Sequence, residues 1–181
     1  MALKATIYKA HINVADLNRH VYLDVGHTLA QHPSETEQRL MLRLLTWGLN
    51  ASEDLVFTKG LSEVDEPELW HKNYSDEIEM WVDLGLPDEK RIRKACNKAK
   101  QVLIVAYGDN ATAQWWQQHQ QKLAPYANLQ IVQIHDESLV EMEGLLERSM
   151  QLQLTIEGEQ AWLSSDKGSC TITPQWLKRN D

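Results

Sequence analysis

The chain has 181 residues, 43% of them apolar and 24% charged, with a net charge of −8. Those values describe a soluble globular protein with room for one domain, residues 1–181, and little more. The acidic balance argues against a general nucleic-acid coat protein, although a metal-dependent enzyme acting on phosphates tolerates it because the metal supplies local positive charge. The longest apolar run, "VLIVAY", is too short to span a bilayer. The opening "MALKATIYKAHINV" alternates like a strand and lacks an apolar signal core, so no membrane partner and a cytoplasmic location are expected. Two cysteines, Cys96 and Cys170, stand far apart without CxxC or Cys/His spacing, against a disulfide framework or structural zinc.

In chain order, residues 4–14 and 20–29 read as a hairpin. "HPSETEQRLMLRLLTWGLN" then reads as a helix. Ser34 and Glu37 form a capping box, Leu40, Met41, Leu44, Leu45 and Trp47 make the inward stripe, and Gly48 and Asn50 stop it. "DLVFTKGL" is a short strand, and a second starts after Pro67 in "DEPELWHKN". A third lies within "DEIEMWVDL". A helix runs from Asp88 to about Lys100, with Ile92, Cys96 and Ala99 inward. "QVLIVAYG" suits a strand covered on both faces. A helix capped by Asn110, the strand "ANLQIVQIHD" and the helix "DESLVEMEGLLERS" follow, an alternation that implies parallel pairing. The last segment holds three short strands joined at "EGEQ" and "SDKGS". The fold class expected is α/β, with antiparallel strands added from both termini.

The corner "DEIEMWVDLGLPDEKRIRKA" carries the chemistry. Alternation puts Glu77, Glu79, Trp81 and Asp83 on one face of the strand and Ile78, Met80, Val82 and Leu84 on the other. Asp83 lies near the carboxyl end of its strand, where α/β sites gather. It reads either as a metal ligand or as a strand-end acid that caps the next turn. Mg²⁺ or Mn²⁺ takes a couple of carboxylates plus water and a substrate phosphate. The nearby acids are Asp65, Glu66 and Glu68. Arg91, Lys94 and Lys98 share a helical flank, which is either a solvated face or a contact for nucleic acid or another phosphate-containing substrate. "WWQQHQQ" fits a helix burying one tryptophan better than a base-stacking platform, and Cys96 reads as a packed thiol.

Acid-bearing strand, acid-bearing strand, helix and parallel strand, preceded by a Glu-containing helix, resemble the αβββαβ core of the PD-(D/E)XK, or restriction-endonuclease-like, superfamily. "MALKATIYKA", "HPSETEQRLMLRLL", "DEPE", "LGLPDEKRIRKAC" and "WLSSDK" further resemble the bacterial YaeQ family across essentially the whole chain. The superfamily resemblance implies that Pro67-Glu68 stands for its Pro-Asp pair, with Asp65 as a neighbouring substitute, and that Asp83 is its second acid. Two residues on, where its signature has lysine, this sequence has Gly85; Lys94 or Arg91 on the following helix then stands in. Glu35 or Glu37 resembles its first-helix acid. The implied function is a divalent-metal-dependent nuclease or phosphodiesterase, with Asp83, Glu68, Asp65 and Glu35 toward Mg²⁺ or Mn²⁺ and Lys94 or Arg91 assisting. The alternative is a non-catalytic binding or adaptor protein that keeps the nuclease-like frame.

Overall fold

A computed structural model of the chain describes residues 4–59, 61 and 64–180. They form eleven strands and four helices, an α/β fold with two mixed sheets. The chain divides into two compact units. The first comprises residues 1–52 and 137–173; the second comprises residues 53–136 and 174–181.

The first unit holds a five-stranded sheet in the order β10-β9-β8-β1-β2. β1 (Thr6–Asp16) and β2 (Val21–Gln31) form the expected hairpin, in register from Thr6 opposite Gln31 to Asp16 opposite Val21. Asp16 closes the turn: its carboxylate accepts from the amides of Asn18 and Arg19, both at 3.1 Å, and from Arg19 Nε at 2.6 Å. β8 (Ser149–Glu157), β9 (Gln160–Ser165) and β10 (Gly168–Ile172) form an antiparallel meander. Its inner strand, β8, lies parallel to β1. The terminal strands are therefore not joined by antiparallel pairing alone. The reason is connectivity: more than a hundred residues separate the two strands, and such a crossover lets β8 enter in the same direction as β1.

Alternation sorts the side chains of this sheet. Ala10, Ile12 and Val14 on β1 and Met150, Leu152 and Leu154 on β8 are buried; Lys9, Asn13, Gln151 and Gln153 are exposed. Helix α1 (Glu37–Leu49) packs on the inner face. Gly48 permits the approach, since a β-carbon there would stand 2.5 Å from Leu154 Cδ2. The helix cap is Thr36 rather than Ser34: Thr36 Oγ1 accepts from the Arg39 amide at 3.1 Å, while Ser34 Oγ lies 2.6 Å from His32 Nδ1. Helix α4 (Asp136–Glu143) precedes β8.

The second unit holds a six-stranded sheet in the order β11-β7-β6-β5-β4-β3. β3 (Leu55–Phe57), β4 (Leu69–Lys72) and β5 (Ile78–Leu84) are antiparallel neighbours. β5, β6 (Ala99–Ala106) and β7 (Leu129–Gln133) are parallel, as the strand–helix alternation implies. β11 (Gln175–Lys178) is antiparallel to β7. Two connections are helices: α2 (Glu89–Lys98) after β5 and α3 (Asp109–Leu123) after β6. α2 starts after its cap Asp88, and Ala99, read as helical from sequence, already begins β6. α3 follows Gly108 at φ +86°, so the cap position falls there and Asn110 sits inside the first turn. Trp81, Ile92, Ala95, Ile104, Trp115 and Ile131 are core residues of this unit, and Trp115 Nε1 donates to the Pro87 carbonyl at 2.9 Å. Among the described residues, no helix is long and apolar enough to cross a membrane.

Candidate acid and arginine site

Asp83 is the next-to-last residue of β5, and the alternation that buries Trp81 against α2 turns its carboxylate the same way. After Leu84 the chain must reverse at once. Gly85 does so at φ +101°, its amide donating to the Val105 carbonyl at 2.9 Å. A side chain is strained in that conformation. This explains the absence of a lysine two residues after the acid: the position is spent on the turn.

The reversal starts α2 with its N-terminus beside the end of β5. Asp88 caps the helix, its Oδ1 accepting from the Arg91 amide at 2.8 Å. The Arg91 side chain then runs back to Asp83. Nε donates to Oδ2 at 2.8 Å and Nη2 to Oδ1 at 3.0 Å, a two-pronged pair with both carboxylate oxygens engaged. The other N–H groups reach the preceding loop: Nη1 donates to the Val64 carbonyl at 2.6 Å and Nη2 to that of Glu66 at 3.0 Å. The guanidinium also lies 5.8 Å from the Trp81 ring centroid. The Asp83 side chain is 6% exposed and that of Arg91 32%. The Asp83 hydrogen bonds raise the Arg91 pKa above its ordinary value; partial burial opposes this, and Glu68 and Asp88 add smaller attractive contributions.

Glu68 precedes β4 and is buried; its amide donates to the Val82 carbonyl at 2.9 Å, which sets it beside the end of β5. Asp65 is exposed on the loop. The basic flank divides. Arg91 is committed to Asp83 and the loop, while Lys94 and Lys98 are exposed.

Glu35 belongs to the first unit. Its carboxylate is 2% exposed and is taken by two arginines of α1: Arg39 Nη1 donates to Oε2 at 2.6 Å, and Arg43 Nη2 donates to Oε1 at 2.9 Å. Arg43 Nη2 also donates to the Ala30 carbonyl at 3.0 Å. Glu37 opens α1 as first-turn negative charge and is exposed.

The sequence profile of the YaeQ protein family matches residues 1–174. This chain belongs to the YaeQ family. It is 51% identical to the uncharacterized protein YaeQ of Salmonella typhi over 172 residues, 95% of either chain. It is 50% identical to that of Escherichia coli (strain K12) over the same length and coverage. The crystal structure of YaeQ protein from Xanthomonas axonopodis pv. citri superposes with a TM-score of 0.94 at 38% identity, covering 96% of this chain and 98% of that one. That of YaeQ protein from Pseudomonas syringae gives 0.92 at 31% identity, covering 97% of each.

For this YaeQ-family chain, Arg39 and Arg43 are the residues that sequence reading passed over. They sit inside "EQRLMLRLL", where the leucine stripe dominates the pattern. The available signal was Glu35 to Arg39, an i,i+4 pair.

Proposed function

We propose that this chain is a non-catalytic binding or adaptor protein built on a PD-(D/E)XK nuclease-like frame, with its signature acids serving as structural anchors. The chain order α1-β3-β4-β5-α2-β6, with β3 to β5 antiparallel and β5 parallel to β6, supports the frame. The observation that carries the structural role is the state of the acids. Both oxygens of Asp83 accept from Arg91, and both oxygens of Glu35 accept from Arg39 and Arg43.

Mg²⁺ and Mn²⁺ prefer carboxylate oxygens, so the donor types suit them. The arrangement does not. A guanidinium stays charged at every pH the protein survives, so it neither shares the carboxylate with a dication nor leaves by losing a proton. Among the described residues, no three His, Cys, Asp or Glu side chains gather in a geometry that holds a metal ion. No step is assigned to a metal for that reason.

One observation favours a second reading, the metal-dependent phosphodiesterase: Glu68 and Asp83 are both buried and stand on neighbouring chain segments, the Glu68 amide donating to the carbonyl of Val82 next to Asp83. That reading requires Arg91 to swing off Asp83. The test is hydrolysis of a single-stranded oligonucleotide and of bis(p-nitrophenyl) phosphate with Mn²⁺. An anchoring Asp83 gives no turnover above an Asp83→Asn control. Turnover that the substitution abolishes would establish the second reading.

A further inference from the structure

We propose that the outer face of the first unit's sheet binds a neutral oligosaccharide. The face is built by register. Asn13 stands opposite Asp24 on β2 and beside Gln153 on β8, and Gln153 stands opposite Ser164 on β9. Those four side chains therefore form one row across four strands. The next row is Gly26, His11 and Gln151. Side chains of aligned residues rise from the same face of the sheet, so the two rows make a continuous floor.

The floor is concave. A groove of about 500 Å³ is lined by His11, Asn13, Asp24, Gln151, Gln153 and Ser164, among others. A second groove, of about 430 Å³, shares His11 and Gln151 and continues to Lys9, Thr28 and Ser149. The sizes fall in the range of small-ligand sites, about 300–1,000 Å³. The space above Gly26 is open, since a β-carbon there would meet nothing within 4 Å.

The lining chemistry selects the ligand. Three carboxamides and the hydroxyls of Ser164 and Ser165 offer donors and acceptors side by side, the match for vicinal hydroxyl groups, each of which both gives and takes a hydrogen bond. No lysine or arginine lines the larger groove, which argues against a phosphate. The two rows set Asn13, Gln151, Gln153 and Ser164 beside His11 and Asp24, and Asp166 adds a second carboxylate to the lining, so the groove offers neutral hydrogen-bonding groups and repels anions. His11 Nε2 lies 3.0 Å from Asp24 Oδ1, which fixes the imidazole across the floor.

Aromatic rings border the floor. The neighbouring row is Tyr22, Ala15, Thr155 and Trp162, read across β2, β1, β8 and β9. Tyr22 is 60% exposed and Trp162 is 37% exposed, with the small Ala15 and Thr155 between them. Three strand spacings separate the rings, about 14 Å. That span suits a short oligosaccharide, whose apolar C–H faces stack on rings while its hydroxyls meet the amide rows.

The test titrates maltohexaose, cellohexaose and chitohexaose separately into the ¹⁵N-labelled full chain. Saturable shifts of the Asn13, Gln151 and Gln153 side-chain amides and the Trp162 indole are expected with at least one of them. Gln153→Ala and Trp162→Ala each raise its Kd at least about tenfold, and the melting temperature of Gln153→Ala stays native because the side chain is exposed. No saturable shift with any of the three overturns the proposal. Binding that both variants retain at native strength also overturns it. So does capture of spermine at these residues without any oligosaccharide, since that would make the floor a cation site driven by Asp24.

Discussion

Arg91 and Asp83 lie eight residues apart and share two hydrogen bonds, Nε to Oδ2 at 2.8 Å and Nη2 to Oδ1 at 3.0 Å. The same guanidinium ties the carbonyls of Val64 and Glu66. One side chain therefore joins the helix start, the strand end and the loop before β4.

The first expected outcome concerns that pair. Arg91→Ala leaves the buried Asp83 charge without its main partner and frees the loop. Arg91 keeps part of its surface in water, so the cost falls below that of a fully buried pair, about 2–3 kcal/mol. For a chain of this length that is a loss of roughly 5–10 °C in melting temperature. Arg91→Lys recovers little, because one ammonium cannot reproduce the two-pronged geometry. In a thermal double-mutant cycle with Asp83→Asn the two losses are strongly non-additive; simple additivity would mean the pair contributes no coupling.

The second concerns Glu35. Glu35→Gln removes a buried charge that holds two guanidinium groups, Arg39 and Arg43. Leaving two buried cations with a neutral amide costs about 3–5 kcal/mol. Chemical denaturation measures it. A loss under about 1 kcal/mol would show that the arginines are not anchored by Glu35.

The third concerns Cys96. Burial pushes its thiol up to about 11, with nearby Lys178 opposing. The thiol form dominates at neutral pH, so alkylation by iodoacetamide is slow there. The rate rises with pH toward a midpoint near 11 in the folded chain, against the ordinary 9.0 in the denatured chain. The linkage has a definite sign: the raised folded pKa means this contribution to stability is complete below pH 9 and is lost as pH climbs through 11. A folded-state midpoint at or below 9 would place the thiol in water.

Much of the architecture was legible because strand alternation and burial follow one rule. "MQLQLTI" buries Met150, Leu152, Leu154 and Ile156, and "VLIVA" is buried throughout. The pairing of β1 with β8 was not legible, since parallel register between distant strands leaves no local mark in either. Two caps slipped by two positions for a similar reason. Ser34, Thr36, Asn110 and Gly108 all suit a helix start, and the choice between them rests on where the preceding chain arrives. At the site, strand alternation put Asp83 on the face of Trp81, and the acidic helix start at Asp88 and Glu89 put Arg91 on the adjacent helix. What alternation cannot show is that the two groups satisfy each other. That depends on Gly85 at φ +101° bringing the helix start back onto the strand end. Glu35, Arg39 and Arg43 were present as helical spacings, but an apolar stripe hid them.

Asp83 as an anchor, the central claim, is tested most directly by the metal-induced melting shift of the native chain and of Asp83→Asn at fixed ionic strength. A dication bound only to the folded state with a Kd on the order of 1 mM adds about 1.4 kcal/mol at ~10 mM, RT ln(1 + [L]/Kd). That corresponds to roughly 3–6 °C. With Asp83 held by Arg91, Mg²⁺ and Mn²⁺ give the same small shift in both proteins, matched by monovalent salt, and Asp83→Asn melts lower than native with or without metal. A shift of several degrees in the native chain that disappears in Asp83→Asn would contradict this and make Asp83 a metal ligand.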